Sequence, residues 1–328
     1  MSRLFSVDQA VAALKEGRLV GLPTETVYGL AADATNERAV AEIFAVKNRP
    51  RFNPLICHFA NAEQALSFGQ TGALEKNLGR SNWPGPLTLL IEYQPATLPP
   101  IVTAGSDRVG VRVPDHALTR SVLEKLNRPV AAPSANLSGK RSPTTAQMVL
   151  DQLGDRIAGV LDGGACRIGL ESTVLRVRNG VLEILRPGAL TEEMLRDQGY
   201  EKIQTVGSER GVAGSPGRLD AHYAPETPLF LVTEAELQNS GPPAGVPAPV
   251  VFLSFGAAAV PTWADRVVSL SAHGDLTEAA ASLFRLFDEL SRNRAASIVA
   301  VEVPERGLGR AINDRLRRAA RSFRPEHA

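Results

Sequence analysis

Cysteine is almost missing. The 328 residues hold two, Cys57 and Cys166, and no CxxC. Zinc-ribbon and thioredoxin-like sites are thereby excluded, as is a disulfide framework, and a reducing cytoplasm fits this usage. Charge of one sign is missing too. The formal net charge is +1, so no global field draws nucleic acid or a membrane to the chain. No stretch approaches the roughly 18 uncharged apolar residues of a membrane span. The start, MSRLFSVDQAVAALKEG, has no continuous apolar stretch and argues against a secretory signal. A Walker A loop, a GxGxxG fingerprint, an HExxH helix and a Ser–His–Asp order are all absent.

What is present reads as two domains, since the length suits two units of about 100–200 residues and the balance of 44% apolar and 22% charged residues is that of a globular protein. Up to residue 205, short β-like runs alternate with helical patterns. Asp8 is expected to cap a helix with Ala10, Val11 and Leu14 on one face, ended by Gly17. Asn36 caps a second, with Val40, Ile43 and Phe44 on one stripe. Strands are expected at 18–22, 54–59, 86–93, 108–113, 129–132, near 157–161, and at 173–178 and 181–185. A helix is expected over 143–153 with Pro143 at its start. Connections without helices favour a mixed α/β sheet. A Gly/Pro-rich stretch (206–226) reads as a linker. Residues 227–328 carry strands in PLFLV, PVVFLSF, RVVSL and SIVAVEV, a helix near 277–291, and a last helix from 309 with Ala311, Ile312, Leu316 and Ala319 on one face.

Polar loops repeatedly follow the apolar runs of the first domain. PTETVYG follows RLVGL, PSANLSG follows PVAA, DGG and GLEST follow the run at 157–161, and RPG follows LEIL. Ligands of α/β sheets gather beyond the carboxyl ends of strands, so these loops are expected to share one site, although each alone also reads as an ordinary turn. Lys47, Arg49 and Arg51 fall within five residues, with Asn53 beyond. Pro50 disfavours helix at Arg49, so the cations are expected to project from an irregular segment, as a triphosphate site or as a solvated basic loop. Ser134 and Asn136, two apart in extended chain, point the same way. His58, in an apolar strand, reads first as a packed core histidine. Arg112, facing inward from a strand, needs an anion: a structural carboxylate or that of a substrate. Thr26, Ser172 and Thr173 offer hydroxyls to a small polar ligand.

The segments PTETVYGL, KNRPRFNPLICH, WPGPLTLL, GVRVPDH, APSANLSG, GLESTV, LRPG and SPG-to-HYAP stand in one order. In this the chain resembles the L-threonylcarbamoyladenylate synthases of the YrdC-like superfamily in their two-domain form, closely over residues 10–226 and again in GLGRAINDRLRRAA. The resemblance implies a twisted mixed α/β sheet with a concave cavity (1–205), a linker or active-site lid (206–226) and a smaller Rossmann-like α/β domain (227–328). It implies synthesis of threonylcarbamoyl-AMP and pyrophosphate from L-threonine, bicarbonate or carbon dioxide, and ATP. Magnesium arrives on the ATP phosphates, with no protein metal ligands and no organic cofactor. By motif, Lys47 and Arg49 with Ser134 and Asn136 are catalytic. Thr26, His58, Arg112 and Ser172 hold threonine. Arg49, Asn53, Arg108, Ala132, Ser134, Ser142, Arg186 and Tyr223 hold ATP, although Arg108 stands where the family more often has a hydroxyl.

The product would pass to a separate tRNA threonylcarbamoyl transferase, and only a weak tRNA contact is expected. A carbamate is already a nucleophile, so no covalent residue is needed and the lack of a triad fits. The alternative is a double-stranded RNA or tRNA module without turnover, against which the near-neutral charge argues. A hydrogenase-maturation carbamoyltransferase would need zinc-finger cysteines that two lone residues cannot supply. A regulatory ATP or amino-acid sensor remains as a third reading.

Overall fold

The computed structural model describes residues 3–93, 97–206, 222–233, 235–257, 260–292 and 295–323. Residues 207–221, most of the expected linker or lid, lie outside them. The chain divides into two compact units. One takes in Met1–Ser138, Pro143–Arg167 and Glu171–Arg218. The other takes in Gly139–Ser142, Ile168–Leu170 and Leu219–Ala328.

The strands of the first unit are β1 (Leu4–Phe5), β2 (Val20–Leu22), β3 (Gly29–Asp33), β4 (Ile56–His58), β5 (Leu87–Glu92), β6 (Arg108–Arg112), β7 (Val130–Ala131), β8 (Gly159–Leu161), β9 (Thr173–Arg178), β10 (Val181–Arg186) and β11 (Ile203–Thr205). The helices are α1 (Val7–Lys15), α2 (Glu37–Lys47), α3 (Ala62–Ser67), α4 (Ala73–Asn82), α5 (Pro100–Thr103), α6 (Ala117–Leu126), α7 (Ala146–Leu153) and α8 (Glu192–Asp197). Among the described residues the strands form one sheet in the order β1-β8-β2-β3-β7-β4-β6-β5-β9-β10-β11. β1, β2, β5, β7, β8 and β9 run one way and the other five run against them. The sheet is therefore mixed, as the helix-free connections predict.

Leu30 and Ala31 are neighbours in β3 and enter different clusters, as alternation in a strand requires. Leu30 joins Val40, Ile43 and Phe44 of α2. Ala31 joins Ala10, Val11 and Leu14 of α1 with Val122 and Leu126 of α6. Both faces are thus covered, and each buried Val, Leu, Ile or Phe side chain contributes roughly 1.5–3 kcal/mol. In β6, Val109 and Val111 enter the first cluster, which turns Gly110 and Arg112 to the opposite face.

Two helix starts differ from expectation. α1 is capped by Ser6, not Asp8. Ser6 accepts from Gln9 N while the Gln9 side chain accepts from Ser6 N, a reciprocal box that an acid two residues later cannot form. α7 begins at Ala146, capped by Thr145, whose side chain accepts from Met148 N. Pro143 stays outside, and its carbonyl instead accepts from Tyr28 N. α2 starts on Asn36 and stops at Lys47 as expected, with Asn48 in the left-handed region at φ 52°.

The second unit holds β12 (Leu229–Leu231), β13 (Val250–Ser254), β14 (Arg266–Ser269), α9 (Leu276–Arg292), β15 (Ser297–Ala300) and α10 (Gly309–Arg321). Its strands form an all-parallel sheet in the order β12-β15-β13-β14. Val250, Phe252, Val299 and Val301 pack its core. α10 buries Ala311, Ile312, Leu316 and Ala319, the face its spacing predicts. Segment 139–142 belongs here through Arg141, whose Nε donates to Asp288 of α9 at 3.0 Å.

Candidate active site

The end of α2 organises one cluster. Lys47 is 1% exposed, so it neither projects from an irregular segment nor lies in a solvated loop. Its Nζ donates to the backbone carbonyls of Ser134 and Asn136, and its own carbonyl accepts from Ser138 N at 2.9 Å. Burial holds its pKa well below the ordinary lysine range, and the nearby Arg49 charge adds to this. Arg49 curls onto its own loop, with Nε on Asn53 O at 3.0 Å and Nη2 on Pro54 O at 2.9 Å. Asn53 is buried, and its Nδ2 makes no hydrogen bond. Arg51 is exposed. The expected Lys47–Ser134–Asn136 grouping is real, but main-chain oxygens make it.

A second cluster lies on the face of β4, β6 and β5 that carries Gly110. His58 and Arg112 are register partners in parallel strands. A Cβ on Gly110 would meet Thr88 at 3.3 Å and Ile56 at 3.5 Å, so these strands share one side. Arg112 is buried. Its Nη2 lies 2.8 Å from Thr26 Oγ1 and 2.8 Å from Glu25 Oε1. The anion that Arg112 requires is therefore Glu25, a residue the sequence did not single out. Thr26 Oγ1 in turn meets Thr24 Oγ1 at 2.7 Å. His58 is pulled down to about 3, mainly by burial and next by the Arg112 charge, so its ring is neutral near pH 7. Its Nδ1 stands 3.3 Å from Ile56 O.

Ser172 precedes β9 and joins the second cluster through Thr88, oxygen to oxygen at 2.8 Å. Arg186, at the end of β10, donates to Ser172 O from Nε at 3.1 Å and from Nη2 at 2.9 Å, and to Ser172 Oγ at 3.1 Å. Gly188 explains the RPG turn. A Cβ there would fall 2.5 Å from Thr173 N and from Glu171 O, so only glycine lets the turn lie against Ser172.

The loops after β2, β7 and β8 open at one end of the sheet. Because β10 runs against these strands, its RPG turn opens at the other end, with Ser172, His58 and Arg112. The expectation of four loops beyond one set of carboxyl ends is thus corrected. The loop residues Glu25 and Thr26 are held by Arg112 at the far end of β6, so the grouping spans a face of the sheet. Tyr28 ties two loops together, with its hydroxyl on Gly164 O at 2.8 Å and Gly163 N donating back to it at 3.1 Å. Burial raises its pKa.

Ala132 donates to Ile56 O at 3.0 Å, beside the first cluster. Arg108 stands at the opposite end of β6 from Arg112 and pairs with Glu92 at 2.8 Å. Ser142 and Tyr223 belong to the second unit. There Tyr223 stacks edge-on against His222, ring centres 4.1 Å apart, and Arg315 lies 5.4 Å from its ring centre. Besides Glu25, sequence reasoning passed over Thr88 and Tyr28. The signal for Glu25 was an acid set between two threonines in a loop with no other charge.

A buried basic end, a neutral histidine and an arginine–carboxylate pair on a mixed sheet define an α/β protein built to hold a small polar ligand. Two family models match the chain: the Sua5/YciO/YrdC model, described as telomere recombination, over residues 12–188, and the threonylcarbamoyl-AMP synthase C-terminal domain over 190–321. The chain belongs to the Sua5/YciO/YrdC family, in its form with the additional C-terminal domain. It is 38% identical to the threonylcarbamoyl-AMP synthase of Bacillus subtilis (strain 168), over 96% of this chain and 92% of that one. It is 37% identical to the Pyrococcus abyssi synthase, over 96% and 94%. The crystal structure of P. abyssi Sua5 complexed with L-threonine matches with a TM-score of 0.82 at 36% identity, covering 96% of this chain and 94% of that one.

Proposed function

We propose that this protein is an ATP-dependent nucleotidyltransferase that makes threonylcarbamoyl-AMP and pyrophosphate from L-threonine, bicarbonate or carbon dioxide, and ATP. One observation carries the reading. A buried arginine with a threonine hydroxyl at 2.8 Å lies in a chain that matches an L-threonine-bound Sua5 along nearly its whole length. Arg112 takes the substrate carboxylate as a planar two-point partner. Thr26, His58 and Ser172 surround the rest of the amino acid, with His58 in its neutral form.

The nucleotide is assigned to Arg49, Asn53, Arg108, Ala132, Ser134, Ser142, Arg186 and Tyr223. The unpartnered Asn53 Nδ2 supports this, since a buried donor without an acceptor favours a ligand oxygen. Lys47 spends two of its three N–H groups on carbonyls. The third serves a phosphate oxygen, while Arg49, Ser134 and Asn136 complete the catalytic set. The donors here are cationic and amide groups, which suit phosphate oxygens and not a bare cation. Among the described residues no three His, Cys, Asp or Glu side chains gather as a metal site. Magnesium is assigned to the ATP phosphates, where it would neutralise charge on the departing pyrophosphate.

The carbamate oxygen attacks the α-phosphorus and pyrophosphate leaves. Orientation of bound reactants supplies roughly 7–11 kcal/mol, and each preorganised donor roughly 3–4 kcal/mol. The product is a precursor for threonylcarbamoyladenosine in tRNA, handed to a separate transferase in the cytoplasm. Among the described residues no helix is long and apolar enough to cross a membrane. Domain roles are proposed as catalysis in 1–205, closure by 206–226 and support from 227–328. The test is product formation from ATP with threonine or bicarbonate omitted in turn. Both are required on this reading, and product formed without either overturns it. Arg112→Ala is expected to raise the threonine KM far more than the ATP KM.

A further inference from the structure

Glu25 is the least satisfied charged group of the pocket. It is 2% exposed. Neither carboxylate oxygen accepts a hydrogen bond, although Oε1 lies 2.8 Å from Arg112 Nη2. A buried carboxylate whose one charged neighbour is a guanidinium at Oε1, with no hydrogen bond to either oxygen, is incompletely compensated, and a second cation offsets the remaining cost. An α-amino acid brings one, carried a single carbon away from the carboxylate that Arg112 takes. The side-by-side Arg112 and Glu25 charges are thus the complement of a zwitterion.

Resting on the synthase reading, we propose that Glu25 seats the ammonium of threonine and is the base that takes its proton for carbamate formation. The ammonium proton passes to a Glu25 oxygen. The freed lone pair forms the N–C bond to bicarbonate. The nitrogen's second proton leaves with the departing hydroxide as water, which gives the carbamate anion. Two carboxylates on one guanidinium carry a surplus negative charge, and the transferred proton cancels it. Glu25 returns the proton to solvent after turnover.

The other titratable groups facing this spot are unsuited to the task. Burial pushes the Cys166 thiol up to about 12, with the Glu25 charge adding to it, so it holds its own proton. His58, beside Arg112, is held at about 3 and is too weak a base. The Tyr28 hydroxyl is raised by burial and already donates to Gly164 O.

The test is Glu25→Gln, which keeps shape and removes the charge and the base. Forward synthesis of threonylcarbamoyl-AMP is expected to fall by at least about 100-fold, the scale of a lost general base. The reverse half-reaction, ATP from threonylcarbamoyl-AMP and pyrophosphate, needs no amine deprotonation, and its loss, the part due to the altered Arg112 pairing, is expected to be at least about tenfold smaller than that of forward synthesis. Unchanged forward synthesis, or equal losses in both directions, overturns the proposal, because equal losses mean that Glu25 only braces Arg112. A second arm uses the unaltered protein and so decides even if Glu25→Gln does not fold. The threonine analogue with hydroxyl in place of the amine is expected to bind at least about tenfold more weakly than threonine, and equal binding overturns the ammonium seat. A wild-type protein that makes no product overturns the synthase reading itself.

Discussion

At the scale of single residues, the buried end of α2 offers the first test. Lys47→Met keeps the packing of a 1%-exposed side chain and removes its charge. It is expected to cut turnover at least tenfold, a loss of about 1.4 kcal/mol. Steady-state rates for this variant and Arg49→Ala check it, and wild-type rates in both refute the assignment. His58 offers a second prediction. Its folded pKa of about 3 lies below the ordinary 6.5, so the unfolded chain takes up the proton first as pH falls. Stability is complete above about pH 6.5 and declines toward pH 3, by about 2 kcal/mol between pH 7 and pH 5. Urea melts at the two pH values should show this loss, and His58→Asn should lack most of it. The packed reading of His58 was legible because an apolar strand surrounds it. That Arg112 needs an anion was legible from burial, but its partner Glu25 was not. An ion pair between residues 87 positions apart leaves no mark in local spacing.

At the scale of elements, periodicity found the long helices and the buried strands and failed at short features. β1 has two residues and β3 reads GLAAD, neither with a β-branched run to announce it. The cap at Asn36 was read correctly, although Thr35 stands beside it. The caps at Ser6 and Thr145 were misread as Asp8 and Pro143, because the side chain that accepts from the third helical N–H decides the start. The expectation that the polar loops open at one common end failed for a different reason. The direction of β10 is set by its antiparallel pairing with β9, and no residue in LEILRPG encodes that. The Asn36 cap can be tested, since α2 carries Lys47 to the carbonyls of Ser134 and Asn136. Asn36 Oδ1 accepts from Ala39 N at 3.2 Å, and Asn36→Ala is expected to cost roughly 0.5–2 kcal/mol. Thermal melts measure this, and the threonine KM should be unmoved.

At the scale of the whole molecule, the sequence conveyed two domains and a mixed sheet, but not that the second unit borrows residues from early in the chain. A chain ending at residue 205 is expected to make no threonylcarbamoyl-AMP. It lacks Tyr223 of the proposed ATP set and strips Asp288 from Arg141. Full activity of that fragment would remove any role for segment 206–226 and the C-terminal domain.

The Arg141–Asp288 contact also sets a clock. The two residues are 147 positions apart, and a ribosome adding about 5–20 residues per second takes roughly 7–30 s to bridge them. During that interval the nascent polypeptide carries an arginine waiting for an acid not yet synthesised. The second unit therefore keeps an early-made segment of its own in waiting, and that segment is settled only when translation is nearly over.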